Sequence, residues 1–267
     1  MIFSSTLKQL AAGMTMLAAW ELLPRLGVVN PQFVPPLSAV VGAIVELFQT
    51  GELVKNSLVS LERAFGGLLV AVAIGFPLGL LLGGWFPRIQ LAVEPLMELF
   101  AQANPVILAH IIIFFLGIGQ AAKIFIIAWL CVWPIIFSTI TGIHTVDPLL
   151  LKAAASLGLG RWRLFIWVVL PSAAPFMFTG LRLAAGYAFI MLIAAEMMGA
   201  SSGLGWLVNK YQESYHVTRI FAGATVITFL AVSTDCLLRL LEKRVVVWNA
   251  AGSEGALILM RLYGVIE

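Results

Sequence analysis

The chain has 267 residues, 61% of them hydrophobic and 11% charged, and a formal net charge of +3. Its mean hydropathy is +1.02. Soluble domains carry about 25% charged residues, and one core of this length could not hide so much apolar surface from water. The composition therefore excludes soluble cytosolic and secreted classes and points to an all-α, polytopic membrane protein. A basic pI in such a chain reflects basic loops and gives no argument for a nucleic-acid partner. Cys131 and Cys236 lie in apolar runs without metal-type spacing and read as reduced packing residues.

In chain order, the N-terminal stretch reads as a retained first span over Leu7 to Leu23, because no small-x-small cleavage site follows its apolar run. Pro24, Pro31, Pro35 and Pro36 keep the next residues extended. Ser38 is positioned to cap an interfacial helix from about Ala39 to Thr50, which Gly51 breaks. Residues 52–64 are helical and polar on one side, leading into span two, Phe65 to Trp85. There Gly75, Gly79 and Gly83 share a face that a neighbouring helix can approach closely, and Pro77 is a kink site. Span three runs from Ile89 to Gly117. It is interrupted by Glu94-Pro95, Glu98 and Gln102-Ala103-Asn104-Pro105, an irregularity tolerated at membrane depth where it faces protein or water. Span four covers Ala122 to Ile143, span five Ser172 to Met198 and span six Ile220 to Leu241. Residues 199–219 between the last two read as a polar, re-entrant loop, with Gly203 and Gly205 as turn glycines and Trp206 and Tyr211 in an interfacial aromatic belt. Six spans put both termini on one side.

Between spans four and five lies the largest polar island, residues 146–171. Asp147-Pro148 is a helix-start signal. Leu149, Leu150, Ala153, Ala154 and Leu157 form an apolar stripe, and Gly158 and Gly160 can end the helix. Arg161-Trp162-Arg163 opens the next segment, which runs apolar to Pro171. The side bearing this island holds nine basic residues (Lys8, Arg88, Lys152, Arg161, Arg163, Arg239, Lys243, Arg244 and Arg261), against six on the other (Arg25, Lys55, Arg63, Lys123, Lys210 and Arg219). The positive-inside rule makes the island and both termini cytoplasmic. No phosphate-binding G-x-x-x-x-G-K-[ST] run is present in the sequence.

The run Lys152-Ala153-Ala154, three residues, Gly158, nine residues, then Val168-x-Leu170-Pro171 resembles the EAA loop of bacterial ABC-importer permeases. Lys152 stands where that family usually has Glu. The segments FVPPLSAVV, GFPLGLLLG, VEPLMELF, TGLRLA and AAEMMGASSGLGWLV resemble the permeases that take up nitrate, sulfonates and taurine. The similarity covers Val34 to Trp248. It departs at Gln102-Ala103-Asn104-Pro105-Val106, where relatives tend to have Arg-Pro and further proline. The chain divides into residues 1–64, a first span plus interfacial helices, 65–248, the permease core, and 249–267, a C-terminal tail outside the similarity. The resemblance implies no cofactor and no catalysis on this chain, with ATP and Mg on a partner ATPase. A periplasmic solute-binding protein, a second permease copy and membrane lipid would be the other partners, in a bacterial inner membrane. The helix of residues 148–160 would be the coupling helix. Lys152, Ala153, Ala154, Gly158, Arg161, Arg163 and Pro171 would be its ATPase-coupling residues.

The alternative class is a stand-alone secondary carrier or channel. A membrane enzyme ranks last, because no His, Asp or Cys cluster stands at catalytic spacing. For the translocation pathway the residues to consider are Glu98, Asn104, His110, Arg182 and Glu196, since polar groups in spans are expensive and face protein or water. Arg182 and Glu196, fourteen residues apart on one helix, are separated by about 21 Å and cannot pair within it. Arg182, the basic residue inside a span, is the leading attractor for an anion. For His110 the expected role is an interhelical hydrogen bond, and Glu94 and Glu98 are a like-charge pair on one face.

Overall fold

The computed structural model describes residues 2–246, with their side chains from residue 11 onward. The described chain is helical throughout its regular elements: α1 (Ile2–Arg25), α2 (Leu37–Gln49), α3 (Glu52–Gly84), α4 (Pro87–Gln102), α5 (Pro105–Leu116), α6 (Gln120–His144), α7 (Pro148–Ser156), α8 (Arg161–Leu164), a π-helical segment (Phe165–Val169), α9 (Leu170–Met197), α10 (Leu204–Glu213) and α11 (Val217–Val245). Four described helices are long and apolar enough to cross a bilayer: α3, α6, the continuous run Arg161–Met197, and α11. The α4–α5 pair passes only as a unit and is bent by 86°. With the 24 residues of α1, every segment expected to span is helical. The tail of residues 249–267 and Arg261 lie outside the described residues.

Contacts among the described residues form two units, one of residues 2–62 together with Leu192–Leu230, the other of Arg63–Met191 with residues 231–246. In the second unit the glycine face of α3 carries the packing. A Cβ at Gly75 would stand 2.8 Å from Ile135, and one at Gly79 would stand 2.7 Å from Thr139. Helix α6 therefore lies against bare backbone, as small residues on a span allow. The face extends two four-residue steps further than the sequence pattern, because a Cβ at Gly67 would collide with Ile127. Helices α6 and α9 meet in the same way at Gly180, where a Cβ would stand 2.6 Å from Ser138. Buried Cys131 donates its S–H to the Ala184 carbonyl at 3.2 Å, which fits a packing role.

Three local expectations are corrected. Pro171 does not end a helix: Arg161–Met197 runs as one 37-residue helix. The π segment precedes the proline, and the Leu170 N–H reaches back five residues to the Phe165 carbonyl. The extra residue in that turn relieves the clash between a proline ring and the preceding carbonyls. Helix α2 begins at Leu37 with Pro36 at its N-cap, and the Ser38 hydroxyl caps nothing. Instead the Glu21 carboxylate accepts the Ser38 N–H at 2.9 Å, and Arg25 donates to Ser38 Oγ at 3.0 Å. Finally, residues 199–219 are not a loop, because α10 occupies Leu204–Glu213.

In the first unit, α2 and α10 pack through Val40, Leu47, Leu204 and Leu207 with Leu53, Ala222 and Ile227. Tyr211 belongs to this core and not to an interfacial belt. Its hydroxyl donates to Glu52 Oε2 at 2.8 Å, while Lys210 Nζ donates to Glu52 Oε1 at 2.6 Å. Lys210 also lies 5.3 Å from the centre of the half-buried Trp206 ring. Burial, and then the adjacent Glu52 carboxylate, push the Tyr211 phenol up to about 12. Since the free phenol titrates near about 10, the folded state holds this proton more tightly than the unfolded one. The stabilisation is complete below about pH 10 and is lost as pH climbs through 12. Alkaline ultraviolet titration is expected to show one phenol ionising near 12, and that step should vanish in Tyr211→Phe.

Candidate functional site

The polar island folds as the sequence predicts. Asp147 is the N-cap of α7 and its carboxylate accepts the Leu149 N–H at 2.8 Å, with Pro148 at N1. At the other end the Gly158 N–H donates to the Ala155 carbonyl at 3.0 Å and the Leu159 N–H to Ala154 at 3.3 Å. These two bonds define a Schellman ending, with Gly158 in the left-handed conformation at φ +78. The expected apolar stripe divides in two. Ala154 is buried, but Leu149 and Leu157 are 70% and 81% exposed, with Leu150 and Ala153 exposed beside them. Residues 149, 153 and 157 follow one another at helical spacing, so α7 presents an uncovered leucine face. Lys152, Arg161 and Arg163 are exposed. Pro171 lies beyond the π segment, inside the long helix.

A second polar cluster gathers around Glu196. This carboxylate, 1% exposed, accepts from Ser60 Oγ at 2.8 Å and from the Gly205 N–H at 2.8 Å. Ser60 Oγ accepts the Leu204 N–H at 2.8 Å, and Asn56 Oδ1 accepts the Gly203 N–H at 2.8 Å. The first N–H groups of a helix have no intrahelical partner. Helix α10 has no cap from its own N-cap residue, Gly203, so Asn56, Ser60 and Glu196 supply the acceptors. A carboxylate at that terminus also meets the positive end of the helix dipole. Glu196 is thus a buried tie in this conformation. Asn56 and Ser60 went unnoticed in the sequence, where their signal is a four-residue spacing on the polar side of residues 52–64.

Arg182 is similarly held. Its Nε donates to Asp235 at 3.0 Å and its Nη1 to Glu242 at 3.3 Å, while Arg239 reaches Asp235 at 2.7 Å. Both partners lie on α11, away from the helix that carries Arg182 and Glu196. Asp235 and Glu242 stand seven residues apart on α11, a spacing that returns to one helix face and was the available signal. The four groups sum to zero charge in this arrangement.

The residues of span three are placed by the corner between α4 and α5. Pro105 forces Asn104 to be extended, and Asn104 then caps α5 by accepting the Val106 N–H at 2.9 Å. His110 Nδ1 lies 2.9 Å from the Val106 carbonyl within α5, a local tie in place of the expected interhelical bond. Glu94 accepts from Gln90 at 3.2 Å, and Glu98 is exposed. Among the described residues no hydrogen bond or ion pair joins Glu98, Asn104 and His110 to one another.

A family model described as the binding-protein-dependent transport system inner membrane component matches residues 75–247. A putative ABC transporter permease of Methanocaldococcus jannaschii is 32% identical over 235 residues, 86% of this chain and 87% of the relative. The taurine transport system permease of Escherichia coli is 30% identical, over 88% of this chain and 86% of its own. A putative aliphatic sulfonates transport permease of Bacillus subtilis is 29% identical, over 91% and 88%. Among solved structures, a methionine ABC transporter in an inward-facing conformation superposes with a TM-score of 0.61 at 20% identity, covering 74% of this chain and 96% of that one. This last likeness concerns the fold alone.

Proposed function

Because the chain belongs to the binding-protein-dependent transport system inner membrane components, the permease subunits of ABC importers, we propose that it moves a small anion or sulfonate-like solute by alternating access, driven by a separate ATPase engaged at α7. The solute class rests on the taurine and sulfonate relatives. The observation that carries the coupling is the leucine face of α7, a nine-residue helix fixed at both ends: Leu149, Leu150 and the C-cap Leu157 are covered by none of the described residues. Exposed apolar side chains rimmed by polar ones mark a protein or membrane contact. A groove on a cytoplasmic ATPase is the occupant the family reading supplies, with Lys152 replacing the usual acidic contact.

In this reading ATP and Mg act on the partner ATPase, two permease copies enclose the path, and a periplasmic solute-binding protein delivers the solute. Both termini of this chain are cytoplasmic. The ATPase pair closes on ATP and moves α7. The unbroken run from Arg161 to Met197, about 55 Å at 1.5 Å per residue, is a stiff lever for that movement. Rocking between discrete packings then exchanges access. Glu98, Asn104 and His110 remain pathway candidates on the exposed corner of α4 and α5, and Arg182 becomes one if Glu242 releases it.

The test is co-expression with the cognate ATPase and binding protein, followed by uptake into proteoliposomes. The expected result is a stable complex whose taurine or alkanesulfonate uptake requires all three components and ATP. Ion-gradient-driven flux by the purified chain alone would overturn the reading and establish a secondary carrier.

A further inference from the structure

The α7 side opposite the leucine face closes a groove of about 470 Å³. Leu151, Ala155 and Leu159 form one wall, one helical turn apart, and Phe165 and Val169 form another. Arg161 lines the same groove, yet its guanidinium has no hydrogen-bond or ion-pair partner among the described residues. At the mouth, the Trp85 ring lies 5.1 Å from Trp162 and 4.0 Å from Phe165. Trp162 is 68% exposed, and Arg163 beside it is also exposed and unpartnered among the described residues. Two spans end here, α3 at Gly84 and α6 at His144. That places the groove at headgroup depth, where indoles and guanidinium groups gather.

An apolar channel with an unsatisfied cation at its rim calls for a ligand with an anionic head and a hydrocarbon tail. Free phosphate leaves the apolar walls unused. An acidic protein side chain leaves the channel empty. We propose that this groove holds an anionic phospholipid, its phosphate on Arg161 and an acyl chain along Leu151, Ala155 and Leu159. The lipid then backs α7 from the side opposite its exposed leucines. The proposal rests on the membrane-spanning fold and not on the transport reading.

Native mass spectrometry of the purified full-length chain tests it, with phosphatidylglycerol and phosphatidylcholine added in parallel. Wild type is expected to retain phosphatidylglycerol preferentially. Arg161→Gln should weaken that retention about fivefold, as losing one cation against an anionic headgroup implies. Ala155→Leu, which fills the channel without touching the charge, should reduce retention of both lipids. Equal retention of the two lipids by wild type would overturn the proposal, as would unchanged retention in either variant. So would displacement of the lipid by inorganic phosphate. If Arg161→Gln loses the co-purifying ATPase while keeping the lipid, Arg161 belongs to the protein interface and the proposal fails.

Discussion

A Leu157→Asp permease is expected to insert and fold as wild type does and to lose ATP-driven uptake by at least about tenfold. Leu157 stands at the C-cap of α7 and is 81% exposed. Exchanging it for a polar residue therefore leaves the isolated chain within about 0.5 kcal/mol of wild type. In a docked complex the same leucine is buried, and burying a leucine is worth about 1.5–3 kcal/mol, a factor of roughly 10 to 150. An aspartate there must also be desolvated. The measurement pairs ATPase co-purification with uptake in proteoliposomes, and both should fall together. Gly158→Ala separates the shape of the helix end from its chemistry. A Cβ at Gly158 meets nothing within 4 Å, but the backbone is at φ +78, so alanine costs about 1–2 kcal/mol of left-handed strain with no clash. A partial loss of uptake is expected from it. Wild-type uptake by Leu157→Asp would remove α7 from the coupling path.

How much of this was legible beforehand depends on how far apart the interacting residues lie in the chain. Asp147, Pro148 and Gly158 act on groups within five residues of themselves, and the sequence pattern alone located α7. The glycines of α3 are equally local, because four-residue spacing on one helix gives a face whatever packs on it. Pro171 was misjudged because a proline reads as a helix end, and the π turn that accommodates it has no signature of its own. Helix α10 was missed for the opposite reason. Its N-terminus carries Gly203 where a local capping residue would stand, and its acceptors come from Asn56 and Ser60, 147 and 144 residues away. Arg182 was assigned an open role because its partners lie 53 and 60 residues further on. Ion pairs between helices leave no trace in a single helix's periodicity. The polar residues of the spans could be flagged as costly from sequence, but their partners had to come from tertiary structure.

Gly203→Ala is expected to be the most damaging small substitution around Glu196, lowering stability by about 4 kcal/mol or more. Two costs coincide there. Gly203 has φ +115, where an L side chain adds about 1–2 kcal/mol of strain. Its Cβ would also fall on the Glu196 carboxylate, pushing aside the acceptor for Ser60 Oγ and the Gly205 N–H. Each such bond to a charged group is worth about 1.5–3 kcal/mol. Glu196→Gln separates these effects. The glutamine fits the same space, and its carbonyl oxygen at the Oε2 position still accepts from Ser60 Oγ and the Gly205 N–H, but it lacks the negative charge that strengthens both bonds. It should lose about half of what alanine at 203 loses. Ser60→Ala should match it, because it removes both the donor to Glu196 and the acceptor of the Leu204 N–H. Thermal unfolding of the purified chain in detergent ranks the three. The expected order of midpoints is wild type, then Glu196→Gln with Ser60→Ala, then Gly203→Ala. If Gly203→Ala unfolds with the wild type, α10 does not depend on acceptors from α3 and α9. If instead Glu196→Gln is the worst of the set, the carboxylate's charge at the N-terminus of α10 outweighs the geometry of the turn.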